Sequence, residues 1–267
     1  MMRSPGPAFD LRAALSEELR GAIAELDASG GKPKGVHRCR VRLKRARALA
    51  RVGRACAPGL AAVFNDSART AMRTLAQARD LAALSEVARA AARKSKKKAA
   101  AAFDHVADAL EIERQQVAPL DMAHAHAALK DLLALAQVWP EASHRQIKRG
   151  AERIAWRARK ARQRGHGAEA PARRHEWRKR EKDRYYAALL LDSAWPAPRR
   201  RKLGENLGEV LGHERDALLL IERVANNPKL AGDAKGAKRA LQALSKRRDR
   251  YAEKADAIGD NLHAHGA

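Results

Sequence analysis

The chain has 267 residues and is strongly basic, with 55 Lys and Arg side chains against 31 Asp and Glu and a formal charge of +24. Hydrophobic residues make up 45%, enough for a buried core, but aromatic residues are only 4%. Scarce aromatic and β-branched residues exclude an extended β-sheet protein. A charge of this size is typical of proteins that bind a polyanion: nucleic acid, an acidic membrane or a phosphate polymer.

Glycines, prolines and a basic run at 93–98 divide the apolar pattern into about nine predicted helices. They cover 9–28, with Asp10 as N-cap, then about 34–57, 60–92, 99–117, 121–139, 141–164, 173–194, 199–225 and 236–263. The sequence therefore predicts an all-α protein, with residues 1–9 as a disordered lead and His263 in a frayed tail.

Neither a run of about 18 apolar residues nor a signal-peptide hydrophobic region occurs, so no membrane span and no export are expected. Cys39 and Cys56 fall in one predicted helix and lie too far apart to bridge. We expect reduced thiols in a cytoplasmic protein. His124 and His126 point apart on a helix, and we expect no metal site and no cofactor.

The second predicted helix carries a row of basic residues beside its apolar face. At about 100° per residue, five residues share an arc of about 80°; this first row is His37, Arg40, Lys44, Arg47 and Arg51. A solvated basic face would lie opposite the core, not beside it. The first row therefore predicts a positively charged cleft between helices.

A similar pattern recurs 138 residues later, in a second row formed by His175, Arg178 and Lys182. Downstream, ARDLAAL around Asp80 resembles ERDALLL around Asp216, at an offset of 136. Two motifs at nearly one offset predict two copies of a helical unit. We expect two four-helix-bundle-like halves, about 10–118 and 119–263, related by a pseudo-two-fold axis around a central basic cleft or pore.

The second copy departs from the first at several positions. Tyr185 stands where the first copy has Arg47, and Lys179 is predicted to compensate for the missing charge. Glu181 and Arg184 occupy positions that are apolar and core-facing in the first copy. Buried charge is costly unless it is paired, so we expect an i,i+3 ion pair between them or locally looser packing.

Four segments resemble motifs of the CHAD family, the conserved-histidine α-helical domain: VHRCRVRLKRAR (36–47), ARDL (78–81), HEWRKR (175–180) and LGHERD (211–216). The resemblance covers nearly the whole chain, from about 10 to 263, as a single domain. It implies two four-helix bundles around a basic cleft or pore. It also implies binding of long-chain inorganic polyphosphate and association with polyphosphate granules.

The family's anion-binding positions map onto residues of both rows and onto a tyrosine: His37, Arg40, Lys44, Arg47, His175, Arg178, Lys182 and Tyr186. Basic positions on the sixth helix, Arg153 and Arg157, match less closely. The residues themselves add Arg51, Arg73 and Lys179 to the predicted polyanion site. Asp80 and Asp216 are predicted structural partners of Arg or His side chains. Phosphate or sulfate ions are expected to occupy the same site.

Two other functions stay open beside non-catalytic polyphosphate binding. The charge supports non-specific nucleic-acid binding, although no groove-reading motif occurs and few aromatic side chains are available for base stacking. A histidine among arginines is also suited to accept a phosphoryl group, which would make the protein a polyphosphate or phosphotransfer enzyme. No P-loop, no acid/base carboxylate pair and no Ser/His/Asp order supports catalysis.

Overall fold

The computed structural model describes residues 9–167 and 170–264, with the side chains of 77–79 not described. These residues form ten α-helices and no β-strand, which confirms the all-α class. The helices are α1 (Leu11–Ser29), α2 (Pro33–Val52), α3 (Pro58–Thr74), α4 (Gln77–Arg93), α5 (Lys97–Gln115), α6 (Met122–Gln137), α7 (His144–Gly165), α8 (Pro171–Leu191), α9 (Arg201–Asn226) and α10 (Ala234–His263). The predicted lead lies almost wholly outside the described residues.

The helix ends follow local signals in the sequence. The carboxylate of Asp10 accepts a hydrogen bond from the Ala13 backbone N–H at 2.8 Å, which confirms the predicted N-cap of α1. Gly30 ends that helix in the left-handed region, at φ 53°, where glycine carries no Cβ penalty. Pro33 starts α2, and Ser143 forms a capping box at the start of α7.

The prediction of one helix over 60–92 is wrong, because the chain breaks at residues 75–76 into α3 and α4. Phe64 on α3 and Leu75 at the break are buried in one hydrophobic cluster, whereas Leu81 on α4 is buried in another. The break lets the chain pass between the two clusters. Neither glycine nor proline occurs there, so the sequence carries no local signal for it.

Hydrophobic side chains of the described residues form three clusters. The first cluster combines α1, α2 and α3 with α6, α7 and α8. The second cluster combines α4 and α5 with α9 and α10. The third combines α7, α8, α9 and α10. Both predicted halves of the chain thus contribute to each of the first two clusters. The pseudo-two-fold relation between the halves stays a prediction.

The charged pair expected inside α8 is present. Arg184 Nε donates to Glu181 Oε2 at 2.8 Å, and both side chains are buried. His263 was expected in a frayed tail, but α10 continues to this residue and places its Nε2 2.6 Å from Glu181 Oε1. Burial alone would raise the pKa of Glu181, yet the His263 hydrogen bond and the Arg184 charge lower it to about 2. The pair thereby fixes the end of α10 against α8.

Carboxylates of α1 neutralise the arginines of α2 that lie outside the first row. Arg42 and Arg45 are 3.2 Å and 3.7 Å from the two carboxylate oxygens of Glu18. Arg38 pairs with Glu25. Because α1 covers this side of α2, the first row from Arg40 to Arg51 lies on the side of α2 that meets α3, α4, α7 and α8.

Candidate anion-binding cavity

A cavity of about 820 Å³ lies among α2, α3, α4, α7, α8 and α9. Its described lining contains thirteen basic side chains and five carboxylates, a surplus of eight positive charges. The basic residues are Arg40, Lys44, Arg47, Arg51, Arg54, Arg69, Arg153, Arg157, Arg178, Lys179, Arg180, Lys182 and Arg215; the carboxylates are Asp66, Asp80, Glu176, Asp183 and Asp216. His175 and Tyr186 complete the predicted residues that line it.

Two residues predicted for the site lie outside this lining. His37 is exposed near the start of α2, before the helix reaches the cavity. Arg73 is exposed on α3 and donates to Thr70 Oγ1 of its own helix at 3.1 Å. Helical periodicity assigns a residue to a face of its helix, but it does not show how far along that helix the neighbouring helices extend.

A close crossing brings the basic residues of α7 to the cavity. A Cβ at Gly150 would lie 2.1 Å from the backbone oxygen of Val52 at the end of α2. Only glycine permits this approach of the two backbones. Arg153 and Arg157 follow by one and two helical turns and enter the lining.

Two glycines on α9 make room for long side chains of α8. A Cβ at Gly208 would lie 2.7 Å from Lys182 Nζ, and a Cβ at Gly204 would lie 2.6 Å from Arg184 Nη2. These glycines were not among the predicted residues, although glycines at four-residue intervals on one helix face are a sequence signal for close side-chain approach.

The arginine of the first row nearest α4 is held in place by its neighbours. Arg40 Nη1 donates to the backbone oxygen of Met72, and its Nη2 lies 3.8 Å from Asp80 Oδ1. Asp80 thus lies beside a cation that lines the cavity, and its structural role stays a prediction. Lys182 Nζ lies 5.7 Å and 5.8 Å from the ring centroids of Tyr185 and Tyr186, within reach of a cation–π interaction.

The basic side chains are crowded in a partly dehydrated space. Burial, reinforced by the positive charge of Arg51, lowers the pKa of Arg47 to about 10. Burial likewise lowers the pKa of Arg157 and of Lys182, and neighbouring arginines act in the same direction. An anion that entered the cavity would relieve this repulsion.

Asp183 lines the cavity and was not predicted from the sequence. Its Oδ1 lies 2.9 Å from Arg51 Nη1 on α2, and its Oδ2 lies 3.3 Å from Arg180 Nη1 on α8. Burial raises the pKa of Asp183, although these guanidinium groups act in the opposite direction. No sequence motif marks it, because its partner on α2 is 132 residues away.

His175 lines the cavity and also a second cavity of about 480 Å³ that reaches α10. Its Nδ1 is buried and has no hydrogen-bond partner in the described part of the chain. Burial, followed by the positive charges of Lys179, Arg215 and Arg178, lowers the pKa of His175 to about 4. The imidazole is therefore neutral at pH 7.

Other chemistry is sparse within residues 9–167 and 170–264. No three His, Cys, Asp or Glu side chains there converge to hold a metal ion. His126 lies 2.5 Å from Asp27 Oδ1 on α1. In the same ranges, no helix combines the length and apolar character needed to span a membrane.

The fold and the cavity define an all-helical protein with a cation-lined site. A model of the CHAD domain matches residues 13–225, and the chain belongs to this family. Two solved structures share the fold. "PptA from Streptomyces chartreusis" is 16% identical, with a TM-score of 0.65 over 93% of this chain and 94% of that one. The "CHAD domain from the plant Ricinus communis" is 19% identical, with a TM-score of 0.63 over 98% and 96%. None of the curated proteins compared with the chain matches it.

Proposed function

We propose that the protein binds long-chain inorganic polyphosphate in the cavity between α2 and α8, without catalysing a reaction. The observation that carries this proposal is the surplus of eight positive charges in the lining of one cavity of about 820 Å³. Such a surplus is unfavourable in a partly buried space unless an anion enters it.

The arrangement of the cations favours a linear ligand with many charges. Arg40, Lys44 and Arg47 succeed one another at intervals of about one helical turn along α2, and Arg178 and Lys182 do so along α8. Arginine offers a rigid fork of donors for phosphate oxygens, while lysine offers a movable charge. A chain of phosphates lying between the helices would contact both rows.

Location follows from this binding. A protein that holds polyphosphate chains would accumulate at cytoplasmic polyphosphate granules. Inorganic phosphate or sulfate would occupy parts of the same cavity with lower affinity, because a single ion contacts fewer of the cations.

Competition binding separates this proposal from nucleic-acid binding. The protein is loaded with a fluorescent DNA oligonucleotide and titrated with long-chain polyphosphate or with unlabelled DNA at equal charge concentration. We expect polyphosphate to displace the oligonucleotide at the lower concentration. If DNA competes better, the cavity is not a polyphosphate site and the proposal fails.

A phosphotransfer enzyme is the second candidate, because the neutral imidazole of His175 lies among cations that would hold a phosphoryl donor. Incubation with polyphosphate, followed by analysis of chain length, free phosphate and phosphohistidine, tests it. We expect all three to stay unchanged. If phosphohistidine forms in the wild type and is absent from the His175→Gln variant, the protein is instead a phosphotransfer enzyme.

A further inference from the structure

One carboxylate connects the two helices that carry the basic rows. Asp183 on α8 pairs with Arg51 of α2 at 2.9 Å, and also with Arg180 at 3.3 Å. Its side chain is only 16% exposed. The negative charge thus lies inside the wall of the cavity that we propose as the polyphosphate site.

A second pair in the same cavity has the same chemistry at the surface. Asp66 Oδ1 is 2.9 Å from Arg69 Nη1, but the Asp66 side chain is 69% exposed. Water screens such an exposed pair, which contributes little to stability. The pair formed by Asp183 and Arg51 is dehydrated, so each of its charges depends on the other.

Removing the charge of Asp183 would leave three guanidinium groups together. Arg47, Arg51 and Arg180 all act electrostatically on Asp183, and the charge of Arg51 already disfavours the charged form of Arg47. A carboxylate at this point offsets repulsion between α2 and α8. A phosphate that enters at the same point meets cations already neutralised, and a negative charge that repels it.

We propose that Asp183 is a resident counter-anion, which holds the two basic rows together while the cavity is empty and opposes a phosphate chain that enters it. Only the second part of this inference, the opposition to a phosphate chain, rests on the proposed function. It makes Asp183 a positioning residue that limits affinity for polyphosphate and increases the stability of the empty protein.

The test compares Asp183→Asn with the matched variant Asp66→Asn. Both remove one carboxylate charge from the same cavity, and they differ in burial. Affinity for long-chain polyphosphate is measured at fixed ionic strength. Thermal unfolding is followed in chloride and in inorganic phosphate of equal ionic strength.

For Asp183→Asn we expect polyphosphate affinity to rise on the order of tenfold, since a repulsive charge near the ligand is gone. Its unfolding temperature should fall in chloride and recover in phosphate, which supplies the missing anion. Asp66→Asn should raise affinity by a smaller factor than Asp183→Asn, because water screens the exposed charge of Asp66, and should change the unfolding temperature little.

The inference is overturned if Asp183→Asn binds polyphosphate no more tightly than the wild type, or if phosphate does not recover its stability. If neither wild type nor variants bind polyphosphate, the proposed function fails. Recovery by inorganic phosphate then still decides the stabilising role.

A second comparison applies if Asp183→Asn does not fold. Arg51→Gln is compared with the double variant Arg51→Gln/Asp183→Asn. The double variant removes both the guanidinium group and the carboxylate of the pair. The double variant should bind polyphosphate more tightly than Arg51→Gln alone. Equal affinities contradict the counter-anion role.

Discussion

On α2, the surroundings of each arginine distinguish a structural role from a proposed binding role. Arg42 and Arg45 face Glu18 of α1, whereas Arg40 and Arg47 face the cavity. All four side chains carry the same charge, so the difference arises from the neighbouring helix alone.

Loss of one cation from each row should weaken polyphosphate binding without unfolding the protein. Arg40→Ala and Arg178→Ala each remove a charge-assisted donor, for which we expect an affinity loss of about tenfold. Arg73→Ala is the matched control, because Arg73 lies outside the lining. Calorimetric titration with polyphosphate measures the effect, and circular dichroism checks the helicity. Unchanged affinity of the Arg40→Ala/Arg178→Ala double variant would remove both rows from the site.

His175 should make binding depend on pH. Its pKa in the folded protein is about 4, below the ordinary value of about 6.5, so the empty protein loses stability as the pH falls from about 6.5 towards 4. A bound polyanion favours the protonated imidazole and raises this pKa. Affinity should therefore increase as the pH is lowered from 7.5 to 5.5, with His175 contributing on the order of tenfold.

His175→Gln, measured over the same pH range, isolates this contribution from the other histidines. His37→Gln is its control, since His37 is exposed and outside the cavity lining. If wild type and His175→Gln show the same pH dependence, the imidazole does not approach the bound anion.

Among the helices, α9 has glycines where long basic side chains of α8 lie against it. The glycines of α9 leave space in which Lys182 extends to the cavity. Glycine lowers helix stability by about 1 kcal/mol relative to alanine. We infer that these glycines lower the intrinsic helix stability of α9 and provide the space that the cations of α8 occupy.

Gly208→Ala should therefore stabilise α9 locally and weaken binding. The new Cβ would lie 2.7 Å from Lys182 Nζ and force the ammonium group to move. We expect polyphosphate affinity to fall several-fold. Gly212→Ala is the control, because its Cβ would lie 3.6 Å from Arg178 Nη2, an ordinary contact. Thermal unfolding and polyphosphate titration are measured for both, and equal affinities would contradict a positioning role of this space.

At the scale of the whole molecule, the net charge is +24, and a surplus of eight positive charges lines the cavity where the two rows meet. Binding of a linear polyanion to such a surface releases counterions. We therefore expect the affinity for polyphosphate to depend on the ionic strength as well as on individual contacts.

Polyphosphate affinity should fall steeply with salt, on the order of 10³-fold between 50 mM and 200 mM, as for other linear polyanions that contact six or more cations. The double variant Arg40→Ala/Arg178→Ala should show a shallower slope of log K against log salt, by about two. Fluorescence anisotropy over a salt series measures both slopes. Parallel slopes would show that these two side chains do not contact phosphate.

Sequence patterns alone predict the all-α class, most helix boundaries, the two basic rows and the paired charges of Glu181 and Arg184. Periodicity and chain-breaking residues are local properties, and they are legible without a fold. Which helix covers which face depends on the packing of the whole chain. This packing divides 60–92 into two helices, brings Asp183 to Arg51, leaves His37 and Arg73 outside the cavity lining and buries His263 against Glu181. Such contacts depend on packing between helices far apart in the chain, and no local pattern specifies them.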